Sequence, residues 1–322
     1  MTPDWKDTHR LLRLRRQPYD SPQIREQLES GKLRLLTSEI AVPASYYRAL
    51  PPWEKAEARA AAVGLTVDRG VVAGKAAARL WGIGLLSVEN KVEIQLPGRV
   101  RAGSRGTWTT GARYRSVILP KRYQTVERGI RVTTRLRCLV DIARHEPLDE
   151  AVVALDSARH LWPELTLERI NREFAEMGTV RNGSRFRAAL ERSRPDIGSP
   201  WETKARLLLI DAALPEVQSV ETQVEFRDPL TGRSYFVDIL INGWLVLEVD
   251  GRSKYRGEYG DPATVLLDER DREKALQNLG SVVLRVGVKE LTDGGEGECT
   301  MVQLVRRGLH SFTAPNSLPR VS

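Results

Sequence analysis

Histidine and cysteine are scarce in this chain: four of the first and two of the second in 322 residues. His9, His145, His160 and His310 are scattered and unpaired, so histidine-metal centres and Ser-His-Asp catalysis have little to build on. Cys138 and Cys299 form no C-x-x-C pair, which argues against a disulfide framework or a zinc knuckle and for a reducing, cytoplasmic setting. No stretch approaches the roughly 18 uninterrupted apolar residues of a membrane span, and "MTPDWKDTHRLLRLRRQ" places acids and arginines where a secretory signal needs an apolar core. A soluble protein with no membrane partner is expected. Internal repeats and low-complexity segments are also missing. What remains for chemistry is carboxylate.

Charge is present but uneven. Residues 1–200 carry 35 Lys+Arg against 23 Asp+Glu, whereas 201–322 carry 15 against 19, so a basic module precedes an acidic one. Residues 91–137 concentrate 12 basic and 2 acidic side chains, a density suited to a polyanion such as nucleic acid, DNA rather than RNA. Arg99, Arg101, Arg105, Arg113 and Arg115 are the candidate contacts. The competing reading is an ordinary solvated surface.

Helix signals open the chain: residues 5–17 as a short basic helix, then "SPQIREQLESGK" with Ser21 as N-cap, Pro22 at the first helical position and Gly31 as the stop. "LRLLTSEIAVP" reads as one strand of a small wing, giving a reduced winged helix-turn-helix over 1–55. In 56–195 the reading is a mixed α/β domain: two Ala-rich helices in "PPWEKAEARAAAVGLTVDRGVVAGKAAARLWGI", strands in "KVEIQLPGRV", "ARYRSVIL" and "IRVTT", and a helical pair in "RLRCLVDIARHEPLDEAVVALDSARH". Polar "RNGSRFRAALERSRPDIGSP" closes it, with a boundary near 196. The segments "GKAAARLWGI", "VTTRLRCLVDIAR" and "AVVALDSA" resemble the AbiEi-type antitoxins of type IV toxin-antitoxin systems over roughly 20–190. That family couples a winged helix to a mixed α/β domain and represses its own promoter, which implies DNA binding here.

From 196 to 322 the order reads α-β-β-β-α-β: a helix from "SPWETKARLLLIDAALP", strands "VETQVEFRD", "SYFVDILI" and "WLVLEVD", a helix in "ATVLLDERDREKALQNL", and strand "SVVLRV", whose connection favours a parallel pairing. Within "YFVDILINGWLVLEVDGRSKY" the apolar strands carry Asp238, Glu248 and Asp250. Acids are costly to bury without a cation. Hard divalent cations take such oxygen ligands, and phosphodiester hydrolysis can use them. If Asn242, Gly243 and Trp244 form a three-residue loop, Ile241 pairs with Leu245 and Asp238 lies opposite Glu248; a two-residue Asn-Gly loop sends Glu248 to the other face. The competing reading is a charged edge hairpin that guards against aggregation.

Glu202, Asp238, "EVDGRSKY", "ERDREKALQNLG" and "VVLRV" together resemble the PD-(D/E)XK nuclease superfamily over 199–291, specifically the branch related to the very-short-patch mismatch repair endonuclease. The resemblance implies a restriction-endonuclease-like core and a Mg²⁺- or Mn²⁺-dependent endonuclease. Asp238 would be the central metal ligand and Glu248 the second carboxylate, with Asp250 either a further ligand or an anchor of the turn at Gly251. Where E-x-K places lysine, this chain has Asp250; Lys254, four residues further on, is the candidate ammonium. Glu202 is a candidate site residue and equally the fourth member of an S-x-x-E capping box begun at Ser199. Arg272 could contact phosphate or pair with Glu269 on its own helix, and Gln223 is a candidate substrate contact. The expected function is a DNA nuclease with a basic binding module; the alternative is a non-catalytic AbiEi-like regulator carrying an inactive nuclease-like domain.

Overall fold

The computed structural model describes residues 4–14, 21–98, 102–228, 231–250, 272, 276, 278, 281–294 and 298–312. The chain divides into two units, Met1–Arg192 and Ser193–Ser322, and both mix helices with sheets, an α+β architecture. Among the described residues no helix is long and apolar enough to cross a membrane.

The head of the first unit departs from the sequence reading at two points. Helix α1 covers only Trp5–His9, because Arg10 turns left-handed (φ 52°) and the chain leaves as strand β1, Leu12–Arg13. Helix α2, Pro22–Glu29, starts after Ser21 as expected, although Ser21 makes no side-chain cap bond. The wing segment is a hairpin rather than one strand: β2 (Leu33–Leu35) and β3 (Ile40–Pro43) pair antiparallel, and β1 adds to the far side of β3. Thr37 causes the reversal, its Oγ1 accepting from the N–H groups of Glu39 (3.2 Å) and Ile40 (3.0 Å), the local side-chain bonding that competes with strand continuation.

Helices α3 (Ala44–Ala49) and α4 (Pro52–Thr66) follow, then β4 (Val71–Val72), α5 (Gly74–Leu80), β5 (Val92–Gln95), β6 (Ala112–Arg115), β7 (Gln124–Glu127) and β8 (Ile130–Thr133). The five strands form a mixed sheet in the order β6-β5-β4-β8-β7. Small residues let α4 lie close to it: Ala56, Ala58, Ala60, Ala61 and Ala62 are buried, and a Cβ at Gly64 would stand 2.5 Å from Ile130 Cγ2. The helical pair is α6 (Arg135–His145) and α7 (Leu148–Leu161), followed by α8 (Leu167–Ala175) and α9 (Gly183–Arg192). Helix α9 occupies the segment read as a polar closing stretch. Its apolar residues Phe186, Ala189 and Leu190 are buried, and Phe186 meets Phe174 with ring centroids 4.6 Å apart.

The second unit begins with α10 (Pro200–Ala212) and continues through β9 (Val220–Arg227), β10 (Ser234–Ile241) and β11 (Leu245–Asp250) to β12 (Val282–Gly287) and α11 (Thr300–Ser311), a helix the sequence reading did not include. The sheet order is β12-β11-β10-β9, antiparallel except for the β11–β12 pair, which is parallel. Ala205, Leu209, Ile239, Ile241, Leu245, Leu247, Val302 and Val305 share one apolar cluster, so α10 and α11 cover that face. Leu276 packs with Phe226, Val237, Leu240 and Val246 in a second cluster. Side chains alternate along β11, so this second cluster marks the opposite face.

Candidate active site

Glu202 enters the site through its helix start. Ser199 caps α10 by accepting from Glu202 N–H at 3.2 Å, and Glu202 Oε2 reaches back to Gly198 N–H at 3.3 Å. The capping box is therefore built, displaced by one residue on its return bond. The same Oε2 also takes Gln223 Nε2 at 2.8 Å, and the side chain is 5% exposed. Burial first, and the negative field of Asp238 second, raise the Glu202 carboxyl above its ordinary value, against the hydrogen bonds from Ser199, Gln223 and Gly198. Capping and the acidic site are one arrangement.

The hairpin that carries Asp238 and Glu248 closes on Asn242 and Gly243, both at positive φ (51° and 75°). Trp244 N–H returns to Ile241 O at 3.2 Å, yet the ladder resumes only at Ile241↔Leu245 and runs to Ile239↔Leu247. Trp244 is thus an extra residue in a turn of the Asn-Gly type. It sets the register in which Ile241 pairs with Leu245, as the three-residue loop requires. Two residues beyond Leu247 the Asp238 carboxylate takes over from the backbone ladder, Oδ2 accepting from Val249 N–H at 2.8 Å.

A break in strand parity lies at the same place. Val220 packs in the first cluster while Val224 and Phe226 pack in the second, and on β10 Ile239 and Ile241 face the first while Val237 faces the second. Alternation would keep each set on one face. Between them stand Gln223, at φ 50°, and Asp238, its position across the β9–β10 ladder. Non-glycine residues at positive φ inside a strand are strained and cluster at functional sites. This kink delivers Gln223 Nε2 to Glu202.

Glu248 is 12% exposed at its side chain and holds Arg272, Nη2 to Oε1 2.5 Å. Arg272 is half-buried, and Leu276, four residues on, is buried. Asp250 is exposed at the end of β11. Arg285, exposed and in register with Glu248 across the parallel pair, adds a cation that sequence reasoning missed; its signal was the one charge inside "SVVLRV". Lys254 and Glu269 lie outside the described residues. Glu202 and Asp238 are thus one neighbourhood and Glu248–Arg272 another, and among the described residues no group of three or more His, Cys, Asp or Glu side chains gathers to hold a metal.

In the first unit, Arg105 and Arg113 are exposed, and Arg99 and Arg101 lie outside the described residues. Arg115 is turned inward and paired with Glu93, whose carboxyl burial pushes up while Arg115 opposes the shift. Gln95 Nε2 and Arg137 Nε meet Asp141 Oδ2 at 2.9 and 3.0 Å beside it. Arg113, although exposed, lies 3.9 Å from the same Glu93 carboxylate, and Arg272 is paired with Glu248. No protein-family model matches the chain, and no curated protein matches it in sequence.

Proposed function

We propose that the chain is a divalent-metal-dependent endonuclease that hydrolyses phosphodiester bonds of DNA, its second unit a PD-(D/E)XK-type core and its first an AbiEi-like module that holds nucleic acid. The observation that carries this reading is the burial of Glu202 and Asp238 on either side of Gln223, whose Nε2 holds Glu202 at 2.8 Å and whose place across the β9–β10 ladder is Asp238. Two carboxylates brought together out of water call for a proton or a cation between them, and their oxygen-only chemistry suits Mg²⁺ or Mn²⁺. Asp238 and Glu202 would hold the ion; Glu248, paired with Arg272, stands in the other neighbourhood. Such an ion supplies charge neutralisation at the phosphate and a water of lowered pKa.

The chain's own residues do the positioning. Val249 N–H fixes one Asp238 oxygen, and Gln223 with Gly198 N–H fixes one Glu202 oxygen. Arg272 and Arg285 bring positive charge beside Glu248, where a scissile phosphate needs it. A second reading, the DNA-binding regulator with an inactive nuclease-like unit, draws on one observation: Glu248 already has a guanidinium partner in Arg272.

Purified protein incubated with duplex DNA, single-stranded DNA and RNA in Mg²⁺ or Mn²⁺ separates the two. Cutting that disappears with EDTA and in Asp238→Asn and Glu248→Ala supports the nuclease. Retention on DNA with no cutting favours the regulator, and cutting that survives both controls comes from a contaminant.

A further inference from the structure

A cavity of about 530 Å³ lies along β6 in the first unit, within the roughly 300–1,000 Å³ of small-ligand pockets. Lys91, Arg105, Arg113 and Arg115 line it together with Trp108 and Tyr114, and among the described residues no Asp or Glu does. Strand β6 is an edge of the five-stranded sheet, so side chains from both of its faces reach the same opening. Alternation places Arg113 and Arg115 on the face of Glu93, which Arg113 approaches to 3.9 Å and Arg115 pairs with, and Tyr114 on the other face with the buried Ala112. Lys91 and Arg105 are exposed, and among the described residues neither has a carboxylate partner. Four cations against Glu93 leave this wall positive at neutral pH.

The two rings add a second kind of contact. Trp108 and Tyr114 are half-buried and meet with centroids 5.4 Å apart at a tilt of 56°, and Trp108 Nε1 donates to Gly103 O at 3.0 Å, which fixes the indole against its own loop. Elsewhere in this unit guanidinium groups cover aromatic faces: Arg128 over Trp5, Arg10 over Tyr46 and Arg135 over Trp162, at 3.2, 4.7 and 3.9 Å. Among the described residues no guanidinium lies over Trp108 or Tyr114, although Arg105, Arg113 and Arg115 line the same cavity. Cations for phosphates, beside rings that no cation has taken for bases, are the two parts of a surface for single-stranded nucleic acid. A duplex offers the phosphates alone, because its base faces are stacked inside, and an acidic peptide offers carboxylates alone.

We propose that this cavity holds unpaired nucleotides of a nucleic-acid strand, a base against Trp108 and Tyr114 and the flanking phosphates on Lys91, Arg105 and Arg113. The site rests on the reading of the first unit as the module that holds nucleic acid, adds that the bases it takes are unpaired, and does not depend on cutting by the second unit. The test uses the full chain in EDTA, which stops metal-dependent cutting. A fluorescein-labelled oligothymidylate and a labelled duplex of mixed sequence are read by anisotropy, with polyglutamate as a competitor. Trp108→Ala, Trp108→Phe, Tyr114→Leu and Arg105→Ala are compared once circular dichroism shows each folded. The expected result is roughly a tenfold loss of oligothymidylate affinity in Trp108→Ala, most of it restored in Trp108→Phe, and a smaller loss in Tyr114→Leu, with duplex affinity unchanged in all three. Arg105→Ala weakens the binding of both nucleic acids. Oligothymidylate binding that neither Trp108→Ala nor Tyr114→Leu weakens, an equal loss in Trp108→Phe and Trp108→Ala, or displacement by polyglutamate as effective as that by unlabelled oligothymidylate overturns the site. Duplex binding without oligothymidylate binding overturns it and leaves the nucleic-acid module standing, whereas no binding of either removes both.

Discussion

At the scale of single residues, Glu202 is a helix cap and an acid under electrostatic pressure at once, and its pH response follows. Its carboxyl is raised in the folded chain by burial and by Asp238, so between the ordinary and the raised value the folded state binds more proton than the unfolded. Stability from this group is fully present below the ordinary glutamate value and is lost as pH rises through the raised one. In metal-free urea unfolding from pH 4 to 8, Glu202→Gln is expected to lose that part of the decline, so the gap in favour of the variant widens with pH. A gap constant with pH would remove the electrostatic account. Gln223 gives a second residue-scale expectation. A β-branched side chain at φ 50° is strained, so Gln223→Val should lower unfolding free energy by about 1–3 kcal/mol, and Gln223→Gly by less. The sequence showed Gln223 as a polar strand residue and candidate substrate contact but not its strain, because backbone strain has no signature in residue type.

At the scale of elements, the β10–β11 hairpin depends on Asn242. Its Oδ1 accepts from Gln218 N–H (2.7 Å) and Ser219 N–H (3.2 Å), and its Nδ2 donates to Glu216 O (2.7 Å), while its own φ is left-handed. Asn242→Ala removes three bonds and keeps the unfavourable φ, so thermal or urea unfolding should show a loss of about 2–4 kcal/mol; Asn242→Gly should fall between. The strand pattern and the Asn-Gly corner made the hairpin legible, and the chemistry of the acids singled out the register with Trp244 as an extra residue. The parallel β11–β12 pairing was legible from the length of the connection. The wing hairpin, α9 and α11 were not. Thr37 reverses a chain whose composition reads as continuous strand, and the short apolar faces of α9 and α11 acquire meaning only against the surfaces that bury them.

At the scale of the whole molecule, two expectations concern what the chain binds. If Glu202 and Asp238 hold a divalent ion, Mg²⁺ or Mn²⁺ should stabilise the chain by about 2.7 kcal/mol at a hundredfold excess over its Kd. The effect should vanish with EDTA and in Asp238→Asn, read as a shift in unfolding midpoint at constant pH. Salt dependence tests the basic module. Arg105→Ala and Arg113→Ala should each reduce the slope of log K against log salt for duplex DNA by about 0.9 for every phosphate that the missing guanidinium had neutralised. Arg115→Ala should instead act on stability, since its partner is Glu93, a carboxylate only 12% exposed, and leave that slope unchanged.

The sequence by itself determined the α+β character, the basic-then-acidic division and the acids in the hairpin, because these follow from composition, periodicity and turn residues, all local in the chain. Tertiary structure alone decided which charges meet: Glu248 with Arg272, and Arg115 with Glu93 instead of solvent. Charge pairing depends on distances of a few ångströms between segments tens of residues apart, and on burial that removes the screening water. Neither quantity is written in the order of residues.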